Sequence, residues 1–249
     1  MNNGKIFLAD AVDIHSHILP GIDDGSTDGK TSVSMLKMLY EQGVRRVAAT
    51  PHFYPHETNF EAFFEKRRKS VETLKEAIAE ENINELPGVY LGAEVAYFDG
   101  MSKYSTIKEL CIAGTDYLLL EMPFCKWSEK ELEDVAAIKA VQGVTPIIAH
   151  IERYLPFQKK EIIRKMLEGD ALIQCNAEAF LSIKTRRQTL KLLSDGNVDV
   201  IGSDCHNLTR RAPKIKAAFE IIERKLGADA VIRLSSKGSL LLENAQSLW

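Results

Sequence analysis

The chain has few cysteines, and its four thiols are scattered. None of Cys111, Cys125, Cys175 and Cys205 belongs to a Cys-x-x-Cys pair. The sequence therefore predicts no disulfide framework and is more typical of a protein in a reducing compartment. Internal repeats, low-complexity segments and interdomain linkers are missing as well. We therefore expect all 249 residues, 1–249, to form one domain.

Long apolar runs and an excess of charge of one sign are also lacking. No stretch approaches the roughly 18 apolar residues that a membrane span requires. The short apolar run near the N-terminus is interrupted by Asp10, which does not fit a signal peptide. The formal net charge is −3 with both signs interspersed, so no nucleic-acid partner is indicated. We expect a cytoplasmic protein that does not insert into membranes.

One dense basic run occupies residues 66–69 (Lys-Arg-Arg-Lys). Glu72 and Glu76 follow it at helical spacing. This pattern is typical of a solvated helix face rather than of a surface that binds nucleic acid.

Short apolar runs alternate with helix-length amphipathic stretches along the chain. Seven of the runs predict strands, at residues 11–14, 46–49, 89–93, 117–120, 146–149, 172–175 and 198–202. The stretches between and after them predict helices, at residues 30–42, 60–81, 106–113, 129–141, 160–168, 186–194, 213–226, 229–234 and 239–245. This alternation indicates one parallel α/β domain. A barrel is favoured over an open doubly wound sheet, because nearly every strand ends in a His, Asp or Glu that a barrel would bring to one mouth.

Histidine is scarce, but five of the six histidines follow predicted strands. They lie in VDIHSH, VAATPH, PIIAH and DVIGSDCH, and they are His15, His17, His52, His150 and His206. The first two are spaced by two residues, so in an extended segment both point to the same face. Pro51 could instead end its strand and leave His52 in a loop. Such a collection of imidazoles at strand ends indicates a multinuclear metal site.

Acidic residues accompany the histidines. Glu94 and Glu121 interrupt apolar strands, where a carboxylate is costly unless it is paired or binds a metal. A buried ion pair is the alternative for each. Asp204 precedes His206 by two residues, and the loop after His17 supplies Asp23 or Asp24, either of which could instead serve a turn or a helix cap.

These nine nitrogen and oxygen donors are enough for three divalent ions. The lack of thiolates favours Mn²⁺, Fe²⁺ or catalytic Zn²⁺ over a structural zinc site. Neighbouring ions of this kind activate oxygens in phosphate-ester hydrolysis. Arg153 and Arg211 lie just beyond strand ends that carry predicted ligands, and their planar guanidinium groups suit phosphate oxygens. Arg210 is equally close by sequence.

The motifs DIHSHILPG with IDDG, ATPH, GAEV, LLLEMPF, IIAHIERY and GSDCHN together resemble the PHP (polymerase and histidinol phosphatase) superfamily. Within it they are most similar to the CpsB/CapC-type bacterial manganese-dependent protein-tyrosine phosphatases, and the resemblance runs from His15 to His206. It implies a single-domain distorted (β/α)₇ TIM-like barrel with a metal site at the C-terminal mouth of the strands. It also implies hydrolysis of phosphotyrosine, a phosphoric monoester, on a bacterial tyrosine autokinase or a related protein of capsule or exopolysaccharide biosynthesis.

Carried over residue by residue, the resemblance implies three divalent ions, usually Mn²⁺. One would bind His15, His17, Glu94 and Asp204, and Glu94 would bridge to a second ion on Glu121 and His150. The third would bind Asp24, His52 and His206. Arg153 and Arg211 match the arginines that hold phosphate. His56 lies outside the motifs and is expected at an ordinary loop position.

Three other functions are weighed against this one. Histidinol phosphate or another small phosphate ester could be the substrate of the same fold, or the chain could be a non-catalytic metal-binding partner of a kinase. Cys205 and Arg211 also have the Cys-x₅-Arg spacing of cysteine-based phosphatases. The intervening loop contains no glycine, however, and predicted metal ligands flank the cysteine, which argues against that mechanism.

Overall fold

The strands form a curled, wholly parallel sheet. The computed structural model describes residues 10–249, so the prediction about a signal peptide falls largely on residues 1–9, outside the described residues. Among the described residues there are nine strand segments: β1 (Ala11–Ser16), β2 (Val44–Ala49), β3 (His52–Phe53), β4 (Gly88–Leu91), β5 (Glu94–Ala96), β6 (Tyr117–Glu121), β7 (Thr145–Ile148), β8 (Leu172–Asn176) and β9 (Val200–Gly202). They pair in the orders β1-β2-β4 and β3-β5-β6-β7-β8-β9.

Two of the seven strand positions around the barrel are interrupted. β3 continues β2 after a break at Pro51, which has no N–H for the ladder. β5 continues β4 after a break at Gly92 and Ala93, so the single strand predicted at residues 89–93 is wrong in its bounds. Backbone pairing crosses both breaks, because Glu94 N donates to Pro51 O at 3.0 Å. The breaks therefore shift the strands without separating them.

The sheet closes where β1 meets the end of β9. Ser16 forms a parallel bridge with Cys205. His17 N donates to Cys205 O at 2.9 Å, and Asp204 N donates to His15 O at 2.8 Å. These contacts join the first and last strands into a distorted (β/α)₇ TIM-like barrel, and the predicted fold is confirmed.

Within residues 10–249, eight α-helices accompany the strands. They are α1 (Gly29–Glu41), α2 (Phe60–Glu81), α3 (Glu129–Gln142), α4 (Lys160–Glu168), α5 (Ala177–Leu181), α6 (Arg186–Ser194), α7 (Ile215–Leu226) and α8 (Ala228–Leu241). The bounds of α2, α4 and α6 are those predicted. Residues 105–110, which overlap the predicted helix 106–113, form a 3₁₀ helix instead, and α5 has no counterpart in the prediction. Among the described residues, no helix is both long and apolar enough to span a membrane.

The helix predicted at residues 229–234 and the start of the one predicted at residues 239–245 form a single helix, α8, which ends at Leu241, so this prediction is wrong. Gly238 lies between the two predicted segments and serves close packing. A Cβ at this position would lie 3.1 Å from Cβ of Val12 in β1. The missing side chain lets α8 approach the first strand, so the glycine is kept inside a helix at a modest cost in helix propensity.

Apolar side chains fill the barrel interior. One buried cluster joins residues from strands that are not neighbours in the sheet, and it includes Val12, Ile14, Ala48, Leu119, Ile147 and Val200. Side chains from opposite strands can meet only through the interior. A larger cluster packs the helices against the outside of the sheet. The polar residues at the strand ends therefore lie next to this buried apolar cluster.

We predict that Gly202→Ala destabilises the closure between β9 and β1. A Cβ at Gly202 would lie 2.4 Å from Cβ of His15 and 3.2 Å from its backbone nitrogen. Relieving this clash must move β1, so the free energy of unfolding in urea should fall by about 1–3 kcal/mol. Gly169→Ala is the matched control, because its Cβ would lie no closer than 3.4 Å to its neighbours. Equal losses in the two variants would contradict this explanation.

Candidate metal centre

The nine predicted ligand residues meet at the carboxyl end of the barrel strands. His15, His17, Glu94, His150, Asp204 and His206 are buried there, His52 and Glu121 are mostly buried, and Asp24 is 65% exposed. Six of the seven strand positions contribute, because each candidate ligand lies in, just after or in the loop following a strand end. The structure thus brings together every residue that the sequence predicted as a ligand.

Glu94 lies at the centre of the cluster and contacts four imidazole rings. Its Oε2 is 3.2 Å from His15 Nε2, 3.3 Å from His17 Nε2 and 3.0 Å from His52 Nδ1. Its Oε1 is 2.8 Å from His150 Nε2. A carboxylate that is 1% exposed is thus surrounded by four imidazole nitrogens from three strand positions.

The remaining acidic groups lie around Glu94. Asp24 Oδ1 is 3.3 Å from His206 Nε2 and 3.5 Å from His52 Nε2. Glu121 Oε1 is 3.5 Å from His150 Nε2. Three groups have ligand atoms within 4.8 Å of one another: His17, Asp24, His52 and His206; His15, His17 and Asp204; and His52, Glu94 and Glu121.

The donor set fits divalent cations. Glu94 Oε2 and His206 Nε2 are buried and have no hydrogen-bond partner within the described part of the chain. His15 Nε2 and His17 Nε2 are 3.1 Å apart. Two nitrogens that both bind one ion at about 2.0–2.1 Å are themselves about 3 Å apart. Imidazole with carboxylate, without thiolate, suits Mn²⁺, Fe²⁺ or catalytic Zn²⁺.

Burial and neighbouring groups shift the pKa of three of the histidines. Burial disfavours the imidazolium of His17, but the hydrogen bond to Asp23 and the contact with Glu94 outweigh burial and raise its pKa to about 10. Burial is likewise outweighed at His150, where Glu121 and Glu94 raise the pKa to about 9. At His206, burial and the neighbouring His17 lower the pKa to about 4. Only a neutral imidazole binds a cation, so cations compete with protons at His17 and His150 but not at His206.

The two aspartates of the DD pair have different environments. Asp24 faces His52 and His206, as described above. Asp23 Oδ2 is instead 2.7 Å from His17 Nδ1 and accepts a hydrogen bond from His52 N at 3.0 Å. Although burial opposes it, the bond to His17 holds the pKa of the Asp23 carboxyl below its usual range. Asp23 therefore fixes the ring of His17, the arrangement commonly found behind metal-binding histidines.

Strand β8 carries two orienting residues that the sequence analysis missed. Gln174 Oε1 accepts a hydrogen bond from His150 N at 2.7 Å and lies 3.3 Å from His15 Nδ1. Gln174 Nε2 donates to Asn176 Oδ1 at 2.9 Å, and Asn176 Nδ2 donates to Asp204 Oδ2 at 2.8 Å. This chain of amides connects three candidate ligands. Gln174 and Asn176 are spaced by two residues on a buried strand, as His15 and His17 are, and this spacing could have indicated that both face the site.

Two candidate ligands lie on unusual backbone. His150 has φ 33° and Asp204 has φ 51°, both in the left-handed region. Residues other than glycine rarely adopt this conformation, and it persists where surrounding contacts impose it. Each residue follows the end of a strand, so the turn redirects its side chain into the cluster.

Arg153 and Arg211 both reach the cluster, whereas Arg210 does not. Arg153 donates a hydrogen bond to Asp204 Oδ2. Arg211 Nη2 donates to Asp204 Oδ1 at 2.8 Å, and its Nη1 lies 3.5 Å from Asp24 Oδ2. Both guanidinium groups remain more than a third exposed, at 38% and 36%. Arg210 is exposed and has no ion pair among the described residues. The structure thus distinguishes Arg211 from Arg210, which the sequence alone could not do.

Cys205 is unsuited to nucleophilic attack. Its side chain is 0% exposed, and burial raises the pKa of its thiol well above the ordinary value. A nucleophilic cysteine needs an accessible thiolate. The structure therefore argues against the cysteine mechanism that the Cys-x₅-Arg spacing suggested. His56 is 74% exposed and lies in a loop beside Glu57, as expected.

A cavity of about 620 Å³ opens beside Asp24 and His52. Tyr54, Glu57 and Lys66 line its walls. Lys66 begins the basic run that was predicted to form a solvated helix face. Lys66, Arg68 and Lys69 are exposed as expected, whereas Arg67 is partly buried and donates to Gly92 O at 2.9 Å.

Known proteins match the chain over nearly its whole length. The family model for capsular polysaccharide synthesis proteins CpsB/CapC matches residues 11–247. Tyrosine-protein phosphatase CpsB of Streptococcus pneumoniae is 31% identical over 229 residues, which cover 87% of this chain and 91% of that protein. Tyrosine-protein phosphatase YwqE of Bacillus subtilis is 26% identical over 247 residues, with coverage of 94% and 92%.

A solved structure supports the same relationship. It comes from work on YwqE of Bacillus subtilis and CpsB of Streptococcus pneumoniae, described as unique metal-dependent tyrosine phosphatases. It has a TM-score of 0.79 and 25% identity to this chain, and the match covers 94% of this chain and 95% of that one. The fold is therefore that of known relatives, and the chain belongs to the CpsB/CapC family of PHP-fold phosphatases.

Proposed function

We propose that this chain is a metal-dependent protein-tyrosine phosphatase. The observation that carries the proposal is the buried Glu94 carboxylate, which contacts four imidazoles beneath two half-exposed arginines. This arrangement suits cations among the imidazoles and Glu94, and a phosphate next to the arginines. Relatives that span nearly the whole chain are tyrosine-protein phosphatases.

The proposed centre holds three divalent cations, with Mn²⁺ favoured and Fe²⁺ or Zn²⁺ as alternatives. The first would bind His15, His17, Glu94 and Asp204. The second would bind Glu94, Glu121 and His150, and the third Asp24, His52 and His206. The contacts of His150 with Glu94 and Glu121, and of His206 with Asp24, support this assignment. The close group around Glu94 and Glu121 contains His52 rather than His150, so His52 also lies near the second position.

The mechanism assigns separate tasks to the residues around the phosphate. Bound divalent cations supply an activated water and electrophilic stabilisation of the phosphoryl oxygens. Arg153 and Arg211 bind the non-bridging oxygens and offset the charge that develops on them. Asp23 and Gln174 keep the ligand rings in place. Tyrosine has a phenol pKa of about 10, so its phenolate can leave without a dedicated general acid.

We propose that the substrate is a phosphotyrosine protein, a bacterial tyrosine autokinase or a related protein of capsule or exopolysaccharide assembly. The family description and the names of the relatives support this assignment. The whole chain, residues 1–249, would act as one cytoplasmic domain. Histidinol phosphate remains the rival substrate for the same fold.

The choice between substrates is tested by steady-state kinetics with Mn²⁺. We expect kcat/KM for a phosphotyrosine peptide to exceed that for histidinol phosphate by about 100-fold or more, because discrimination between such different leaving groups and pocket contacts is readily that large. EDTA should abolish both activities. A preference for histidinol phosphate would contradict the proposed substrate, and full activity after metal removal would contradict the proposed mechanism.

The role of the arginines is tested by Arg153→Lys and Arg211→Lys. Each change keeps the charge but loses the planar pair of donors, so we expect kcat/KM for the phosphotyrosine peptide to fall about 10- to 100-fold. Arg210→Lys is the matched control and should stay within about twofold. Metal content is measured for each variant, so that loss of cations is not mistaken for loss of phosphate binding. An Arg210→Lys defect as large as that of Arg211→Lys would refute the assignment.

A further inference from the structure

Phe124 is an exposed aromatic residue beside the candidate metal centre. Its side chain is 51% exposed. Its ring centroid lies 5.9 Å from that of His150, with the two planes 22° apart. It also lies 5.1 Å from the ring of Tyr154, which is fully buried. One part of the Phe124 ring is therefore supported by the protein, and the rest faces solvent at the mouth.

The segment around Phe124 is well braced. Trp127 Nε1 donates to Pro123 O at 2.8 Å, and Gln158 Nε2 donates to Cys125 O at 2.6 Å. Trp127 N in turn donates to Gln158 Oε1 at 2.8 Å. These bonds hold the backbone on both sides of Phe124. Because the ring is already positioned, little conformational entropy is lost when a ligand packs against it.

Keeping a phenyl ring half exposed forgoes part of the free energy that its burial would supply. The contacts with His150 and Tyr154 support the ring without covering it. A second aromatic ring could complete the contact, since offset aromatic pairs are favourable beyond the area that they bury. Phosphotyrosine carries such a ring, joined to phosphorus through one oxygen. A phosphate held over the metal centre would thus have its phenyl group near the mouth.

We infer that Phe124 is a specificity-determining residue that packs against the phenyl ring of phosphotyrosine and favours aryl over alkyl phosphates. The inference rests on the proposed function and names what that site selects. Tyr54 is less suited to this role, although it stacks on His52 at 4.9 Å. Its hydroxyl lies 3.1 Å from His52 Nδ1, and this contact ties Tyr54 to the candidate ligand itself.

The test compares two ligands that differ in the ring, phenyl phosphate as substrate and inorganic phosphate as competitive inhibitor. Phe124→Leu keeps an apolar side chain but removes the aromatic face. We expect KM for phenyl phosphate to rise about 3- to 10-fold, while kcat, the metal content and the Ki of phosphate stay within about twofold. Phe124→Tyr keeps the aromatic face, so its KM for phenyl phosphate should stay close to that of the wild-type protein. Phe157→Leu is the control, because Phe157 is 46% exposed and has no ring contact with a candidate ligand among the described residues.

Two results would overturn the inference. If KM for phenyl phosphate and Ki for phosphate rise together, Phe124 supports the centre rather than the substrate ring. If KM is unchanged in Phe124→Leu, the ring plays no part. Failure of the proposed function is distinguishable, because the wild-type protein would then prefer histidinol phosphate to a phosphotyrosine peptide, or would hydrolyse neither the peptide nor phenyl phosphate.

Discussion

Burial of the Glu94 carboxylate is the constraint on which the rest of the site depends. An isolated ionised carboxylate in a protein interior costs several kcal/mol or more unless opposite charge or hydrogen bonds offset it. Here the offset comes from four histidines at three strand positions of the barrel, namely His15, His17, His52 and His150. Although burial alone would raise it, these contacts hold the pKa of Glu94 well below its ordinary value. The carboxylate thus stays ionised at the point where cations would bind.

Several irregularities of the fold serve this arrangement. The break at Pro51 puts His52 opposite Glu94 in the register of β3 and β5. The left-handed turns at His150 and Asp204 redirect two more side chains. Gly202 makes room for His15 where the barrel closes. A regular barrel would give smoother strands, but it would not give the same convergence of ligand atoms.

The candidate ligand residues could be predicted because they are polar and titratable residues at the ends of apolar strands. Histidines and glutamates at the ends of apolar strands have few structural explanations, and strand–helix alternation indicates that those ends meet. The orienting residues were harder to find, because Gln174 and Asn176 act through hydrogen bonds that only the folded chain reveals. The choice of Arg211 over Arg210 was also hard to predict, because it depends on the turn after His206. The single helix α8 was not predicted. It contains Gly238, and the reason for a glycine there is close packing against Val12, a contact between residues that are distant in sequence.

We propose that Glu94 lies between cations in one trinuclear centre, and diffraction tests this proposal most directly. Crystals grown with Mn²⁺ and measured on both sides of the manganese absorption edge should show three anomalous peaks per chain. Two of the peaks should lie on opposite oxygens of Glu94, and the third between Asp24, His52 and His206. A single peak, or peaks that leave Glu94 without a metal contact, would contradict the account.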